Sequence, residues 1–305
     1  METRITQITL DLLRDVADYR VLSLSQIAHL HFGGKKAARR RMEQLRKEGL
    51  VELLPAMPAE RGGRPENILG LSKAGLQLLK SKSILDERIE FEQVGGGNLV
   101  RQIAHQLLLG WSRIFLVHVC RTVPQLEVKL RSCNSPLALN PETGVPIARA
   151  EVVMKEGESP VRFTPDAVFV ITDTAQPKSV LFFLEVDMGT EPLSSDDGVN
   201  IREKILRYKQ YFRTKGYKRY ETVWGVPLNG FRLLFVTHSS SNLGRLSAAV
   251  KAMEPTGFVW TTSADRMFEK GISDCIWSAG GCSERPAESI LGSLALPVPL
   301  LGLKE

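Results

Sequence analysis

The chain has 305 residues, 43% of them hydrophobic and 24% charged, which excludes a disordered or fibrous protein and leaves room for two modest domains. Its formal charge of +6 is unevenly spread: residues 1–82 hold 15 Lys/Arg against 9 Asp/Glu, whereas residues 83–305 hold 25 of each. A polyanion is therefore expected to meet the first quarter of the chain. From the N-terminus, Ile8, Leu12, Leu13 and Val16 recur at helical spacing within Thr6–Tyr19. Leu22-Ser-Leu-Ser25 offers a serine cap before a short helix, Gln26–Phe32. After Gly33-Gly34, a third helix spans Lys35–Glu48 and stops at Gly49. Its Ala38, Met42 and Leu45 form an inward stripe, with Lys35, Lys36, Arg39, Arg40, Arg46 and Lys47 mostly off it. Leu50–Leu54 and Asn67–Leu71 read as two strands joined by a Pro/Gly/Arg loop containing Arg61-Gly-Gly-Arg64, and a further helix runs from Ser72 to Leu79.

Three helices, a basic third helix and a strand–basic loop–strand resemble the winged helix-turn-helix family over residues 6–82. The resemblance implies that the third helix enters the major groove of double-stranded DNA and the wing touches its backbone. Lys35, Lys36, Arg39, Arg40, Arg41, Lys47, Arg61 and Arg64 are then the DNA-binding candidates.

Residues 83–98 read as a polar linker ending in Gly95-Gly-Gly97. A helix capped by Asn98 is expected through about Cys120, with Leu99, Ile103, Leu107 and Trp111 on its apolar face, then a strand at Gln125–Leu130. Residues 131–160 are rich in Pro and Gly and carry no periodic signal. Val161–Ile171 and Leu181–Glu191 each contain an apolar run of strand length and are separated by turn-forming residues, a β-hairpin signature. Asp166 falls near the start of the first strand. Glu185 and Asp187 lie two apart on the second, so the pleat points both to one face. Three carboxylates inside apolar strands need a cation or a basic partner. A hard ion such as Mg²⁺, with oxygen ligands, is the natural candidate. A helix Asn200–Arg213, an aromatic and basic loop to Gly230, a strand Phe231–Thr237, a helix Asn242–Met253 and a strand Phe258–Thr261 complete the pattern. The order implies a mixed sheet with helices on its faces.

Pro165-Asp166, Glu185-x-Asp187 and the helix after them resemble the PD-(D/E)xK nuclease superfamily. The resemblance implies that Asp166 and Glu185 hold Mg²⁺ or Mn²⁺, with Asp187 adjoining the metal and standing where that family has its lysine. Lys204, which shares a helical face with Tyr208 and Tyr211, is the candidate for a displaced lysine, with Tyr208 beside it. His105, Pro165-Asp166, Glu185-Val-Asp-Met-Gly-Thr-Glu191 and Lys204-x-x-x-Tyr208 together are similar to a narrower group, the replication-relaxation proteins of plasmids and integrative elements. That group includes relaxases of the MobC type, which nick a transfer origin, as well as replication and regulatory proteins.

The expected architecture is α+β: a winged helix over 1–82, a linker over 83–98, an α/β restriction-endonuclease-like domain with a mixed central sheet over 99–282, and a tail over 283–305. The expected function is DNA processing on a mobile element, by Mg²⁺-dependent cleavage or nicking. Its rival is a non-catalytic replication or transcription regulator whose second domain serves dimerisation or sensing, and a homodimer is left open. Cys120, Cys133, Cys275 and Cys282 include no CxxC pair and read as reduced thiols. Residues 1–20 have no signal core, and no run approaches the ~18 apolar residues of a membrane span. A cytoplasmic protein without a membrane partner is expected. His29-Leu-His31 lies in the small second helix, where surface positions are expected.

Overall fold

Hydroxyl side chains cap several of the described helices. In the computed structural model, which describes residues 5–55, 66–95, 102–140, 143, 145–155, 157–189, 201–282 and 286–292, Thr6 accepts from the Thr9 amide and opens α1 (Gln7–Tyr19). β1 (Leu22–Ser23) leads directly into α2 (Leu24–His31). Ser23 caps α2, and the Gln26 side chain reaches back to the Ser23 amide at 3.0 Å, so the helix begins two residues before the Gln26 expected from sequence. In α3 (Lys35–Lys47) Ala38, Met42 and Leu45 are buried, as their spacing requires. Gly49, at φ +72°, ends that helix in a conformation that only glycine adopts freely. β2 (Val51–Leu54) and β3 (Ile68–Leu71) follow, then α4 (Lys73–Ser81), capped by Ser72. The three strands form an antiparallel sheet in the order β1-β3-β2. A methyl group at Gly75 would lie 2.2 Å from the Leu50 carbonyl, so α4 can pack there only with glycine at this position. Arg61 and Arg64 lie outside the described residues.

A short α5 (Phe91–Val94) is held by Arg20, whose guanidinium donates to the carbonyls of Glu92 at 2.8 Å and Gly95 at 3.2 Å. α6 (Ile103–Thr122) follows. It is long and apolar enough to cross a membrane by length and composition, although no apolar run of that length was expected from the sequence. Even so, 61% of its most apolar stretch is buried, as in a core helix. The described residues divide into two compact units, one of residues 5–114 with 134–143 and the other of residues 115–133 with 145–292.

The second unit is built on a mixed six-stranded sheet. Its elements are β4 (Leu126–Ser132), β5 (Ala150–Val152), β6 (Val161–Phe163), β7 (Ala167–Asp173), β8 (Lys178–Asp187), α7 (Ile201–Arg213), α8 (Arg219–Trp224), β9 (Phe231–Thr237), α9 (Ser240–Lys251), β10 (Val259–Ser263), α10 (Ala264–Lys270) and β11 (Ser278–Ala279). The strand order is β11-β10-β9-β8-β7-β4, with β8, β9 and β10 mutually parallel and the remaining pairs antiparallel. The expected strand Val161–Ile171 is two strands. β6 pairs with β5 in a separate ribbon, and β7 starts only after Pro165, whose ring removes a ladder donor. The stretch read as a loop up to Gly230 holds a 3-10 turn, Gly216–Lys218, and α8. Tyr220 and Trp224, one turn apart, stack at 5.0 Å and are buried, and this supplies the apolar face that α8 needs.

The core of this unit is aromatic. Phe183 is fully buried and touches the rings of Tyr208, Tyr211, Tyr220 and Phe231 at 4.9–6.0 Å between centroids. Phe183→Ala should therefore cost about 3–5 kcal/mol of unfolding free energy, read from urea denaturation followed by tryptophan fluorescence. A cost below about 1 kcal/mol would mean that this cluster does not hold the unit together.

Candidate functional site

The last pair of the β7–β8 ladder is Ala167↔Leu184, so one step further Asp166 stands across from Glu185. β8 alternates Leu181, Phe183, Glu185 and Asp187 on one face. Leu181 and Phe183 join the aromatic core there, and the two carboxylates continue the same row towards the strand's end. The backbone at Asp166 is pinned by its carbonyl, which accepts from the Cys133 amide at 3.0 Å and the Ser132 hydroxyl at 3.3 Å. Its side-chain Oδ2 accepts from the Val186 amide at 2.8 Å. Asp166 is thus fixed to both neighbouring strands. Ser132 and Cys133 carry no sequence signal for this role.

Glu185 is 5% exposed, and both its oxygens have partners. The Tyr208 hydroxyl donates to Oε1 at 2.7 Å, and the Lys204 ammonium lies 3.4 Å from Oε2. Lys204 and Tyr208 sit one turn apart on α7, so one helix face delivers both. Burial raises the Glu185 pKa from 4.5 to about 7; Lys204 pulls it down, and the Asp166 charge pushes it further up. Burial and the adjacent Glu185 charge hold the Tyr208 hydroxyl well above its ordinary value, so it remains a donor. Tyr208 is itself 1% exposed, edge-on to Phe163 at 5.0 Å. It orients Glu185 from inside the core.

Asp187 behaves differently. Its Oδ1 accepts from the Gly189 amide at 2.8 Å and closes the turn that leaves β8. Gly189 has φ +73°, and a methyl group there would sit 2.2 Å from the Asn242 side chain. Among the described residues no three His, Cys, Asp or Glu side chains gather as a metal site, so the expected trio of carboxylates reduces to the pair Asp166 and Glu185. Glu191 falls outside the described residues. His105 is on α6 in the first unit, with its Nδ1 3.4 Å from the Gln106 amide nitrogen.

Of the basic candidates on α3, Lys36, Arg39, Arg40 and Lys47 are exposed, while Lys35 and Arg41 are half-buried. Arg41 is turned back to the Thr9 hydroxyl on α1 and to Gln44 at 2.7 Å. His29 and His31 are half-buried, not surface residues. His29 Nδ1 lies 2.8 Å from the Ser25 carbonyl, and His31 pairs with Asp15 at 2.9 Å.

A family model described as replication-relaxation matches residues 13–226, a span that includes α3 and all of Asp166, Glu185, Lys204 and Tyr208. No curated protein and no solved structure matches the chain.

The raised pKa of Glu185 has a signed consequence. The folded state holds this proton more tightly than the unfolded chain does. The stability it contributes is therefore complete below about pH 4.5 and lost as pH rises through about 7. Glu185→Gln keeps an acceptor for Tyr208 and removes the titration. Its melting temperature relative to the parent should rise by a few degrees between about pH 5 and about pH 8. A difference that stays flat across that range would show that Glu185 titrates alike in both states.

Proposed function

The chain belongs to the replication-relaxation family, and from that premise we propose that it processes the DNA of a plasmid or other mobile element, holding duplex with its first unit and cleaving a phosphodiester with its second. The first part of the reading is supported by the order α1-β1-α2-α3-β2-β3, which is that of a winged helix. It is also supported by the exposed Lys36, Arg39, Arg40 and Lys47 along α3, in a segment that holds all of the chain's excess positive charge. In this reading α3 enters the major groove and positions the chain on its site.

The observation that carries the second part is Glu185 itself. A buried carboxylate–ammonium pair contributes little net stability, and apolar residues of the same size would pack at least as well. Here the pair ends an apolar strand beside a second acid, Asp166, at the edge of the aromatic core. Such a grouping suits chemistry better than packing. Asp166 and Glu185 fit a Mg²⁺ or Mn²⁺ ion, which is commonly held by one or two carboxylates with waters and substrate phosphates completing its shell. When bound, the ion would supply positive charge to the phosphoryl oxygens as negative charge develops on them. Lys204, with 23% of its side chain exposed, has solvent access from which its ammonium can meet a phosphate. Tyr208 keeps Glu185 oriented.

One observation favours the regulatory alternative. Both Glu185 oxygens are already satisfied, and Asp187, where the PD-(D/E)xK pattern has lysine, is spent on a turn. In that reading the second unit serves dimerisation or sensing.

The test is nicking of supercoiled plasmid carrying the DNA that flanks the protein's own gene, in Mg²⁺, Mn²⁺ and EDTA. Metal-dependent nicking should fall about a hundredfold or more in Asp166→Asn and in Lys204→Met, with duplex affinity retained. Arg39→Ala with Arg40→Ala should weaken duplex binding and reduce the salt slope by about 1.8, roughly 0.9 for each lost phosphate contact. Salt-sensitive binding by a parent that never nicks would leave the regulator.

A further inference from the structure

The even charge balance of residues 83–305 conceals a strongly basic segment. Residues 201–219 hold eight Lys/Arg against one acid, Glu203, whereas the rest of 83–305 holds 17 against 24. This segment is α7, the 3-10 turn after it and Arg219, the first residue of α8. Several of its cations are engaged within the unit. Lys204 faces Glu185, Arg207 pairs with Glu203 at 3.4 Å, Lys209 donates to the Met253 carbonyl, Lys218 pairs with Glu221 at 2.7 Å, and Arg219 donates to the Ile147 carbonyl. Arg213 and Lys215 are exposed.

Just before them an aromatic ring is presented to solvent. Phe212 is 49% exposed, although it belongs to the most aromatic region of the protein. Its ring stacks on Tyr217, with centroids 5.6 Å apart and planes 14° from parallel, and meets Phe231 edge-on at 5.9 Å. Tyr217 and Phe231 are buried, so Phe212 rests on a rigid base. The turn is compact because Gly216 lies against the Tyr211 ring, where a methyl group would come within 2.2 Å of a ring carbon. Lys215 is held at φ +55° on the outside of that turn. A half-exposed ring backed by a buried one, followed in sequence by two exposed cations, has the two components of a site for unpaired nucleotides: a stacking surface and phosphate contacts.

We propose that α7's C-terminal turn and the 3-10 turn Gly216–Lys218 bind single-stranded DNA, with a base stacked on Phe212 and phosphates held by Arg213 and Lys215. The proposal rests on the DNA-processing reading above and adds a second nucleic-acid surface to it, independent of α3. A single strand is specified over duplex because only an unpaired base offers a free face to an aromatic ring. Phe212 lies two turns beyond Lys204 on the same helix, about 12 Å along its axis. A strand stacked there would run close to the Asp166–Glu185–Lys204 group.

The test is fluorescence anisotropy of labelled dT20 with the full chain, with a labelled duplex and an rU20 strand as parallel arms. Phe212→Ala should lose about ten-fold in dT20 affinity, and Phe212→Trp should retain it. Arg213→Gln with Lys215→Gln should reduce the salt slope for dT20 by about 1.4, roughly 0.7 for each phosphate. All three variants should bind duplex as the parent does. Equal dT20 affinity for Phe212→Ala and the parent would overturn the proposal, as would no dT20 binding by the parent. Stronger binding of rU20 than dT20 would overturn it in favour of RNA. A change of mass in sedimentation for Phe212→Ala, with dT20 affinity unchanged, would make the ring a subunit contact instead. Failure of the α3 variants to alter duplex binding would count against the first unit's role and leave this surface standing.

Discussion

Glu185 must be buried and must also be satisfied, and much of the second unit is arranged around that constraint. It lies at the end of a strand whose preceding residues on the same face are Leu181 and Phe183, so the row that fills the core also carries the acid into it. An isolated carboxylate there would be costly. Burial first, then the Lys204 ammonium, the neighbouring Asp166 and the Tyr208 hydroxyl, determine how much charge it holds, and α7 has to lie where it does to supply the lysine and the tyrosine.

α7 consequently has three roles along its length. Ile201, Ile205, Tyr208 and Tyr211 pack into the aromatic core and fix the helix. Lys204 and Tyr208 meet Glu185. At the far end Phe212 leaves the core for solvent, in company with Arg213 and Lys215. A helix presents neighbouring faces to neighbouring environments, so a rotation that exposed Lys204 further would also pull Tyr208 from the core. Packing and site geometry are coupled here by the helix itself.

Much of this was legible in the chain. The spacing of Ala38, Met42 and Leu45 gave the buried stripe of α3, and the Lys204, Tyr208, Tyr211 pattern gave the inward face of α7. Alternation placed Glu185 and Asp187 on one face of β8. Two kinds of feature were not legible. Local hydrogen bonds added to what periodicity gave, as when Gln26 reached back to Ser23 and lengthened α2, or when Asp187 accepted from the Gly189 amide in the turn after β8. Averages also hid local extremes: a balanced charge over 83–305 masked the basic α7, and the apparent loop after it contained a helix stabilised by the Tyr220–Trp224 stack.

The sequence by itself determined which residues could be inside, because hydrophobic period is a property of neighbours three, four or two positions apart. It determined most of the long elements, the mixed sheet and the family pattern, but not the division of Val161–Ile171 into two strands or the helix α8. Only the tertiary structure decided which polar groups meet. That Asp166 stands across from Glu185, that Lys204 and Tyr208 arrive at its two oxygens, and that Asp187 does not join them depend on strand register and helix docking. These bring together residues about twenty positions apart through contacts that no local pattern encodes.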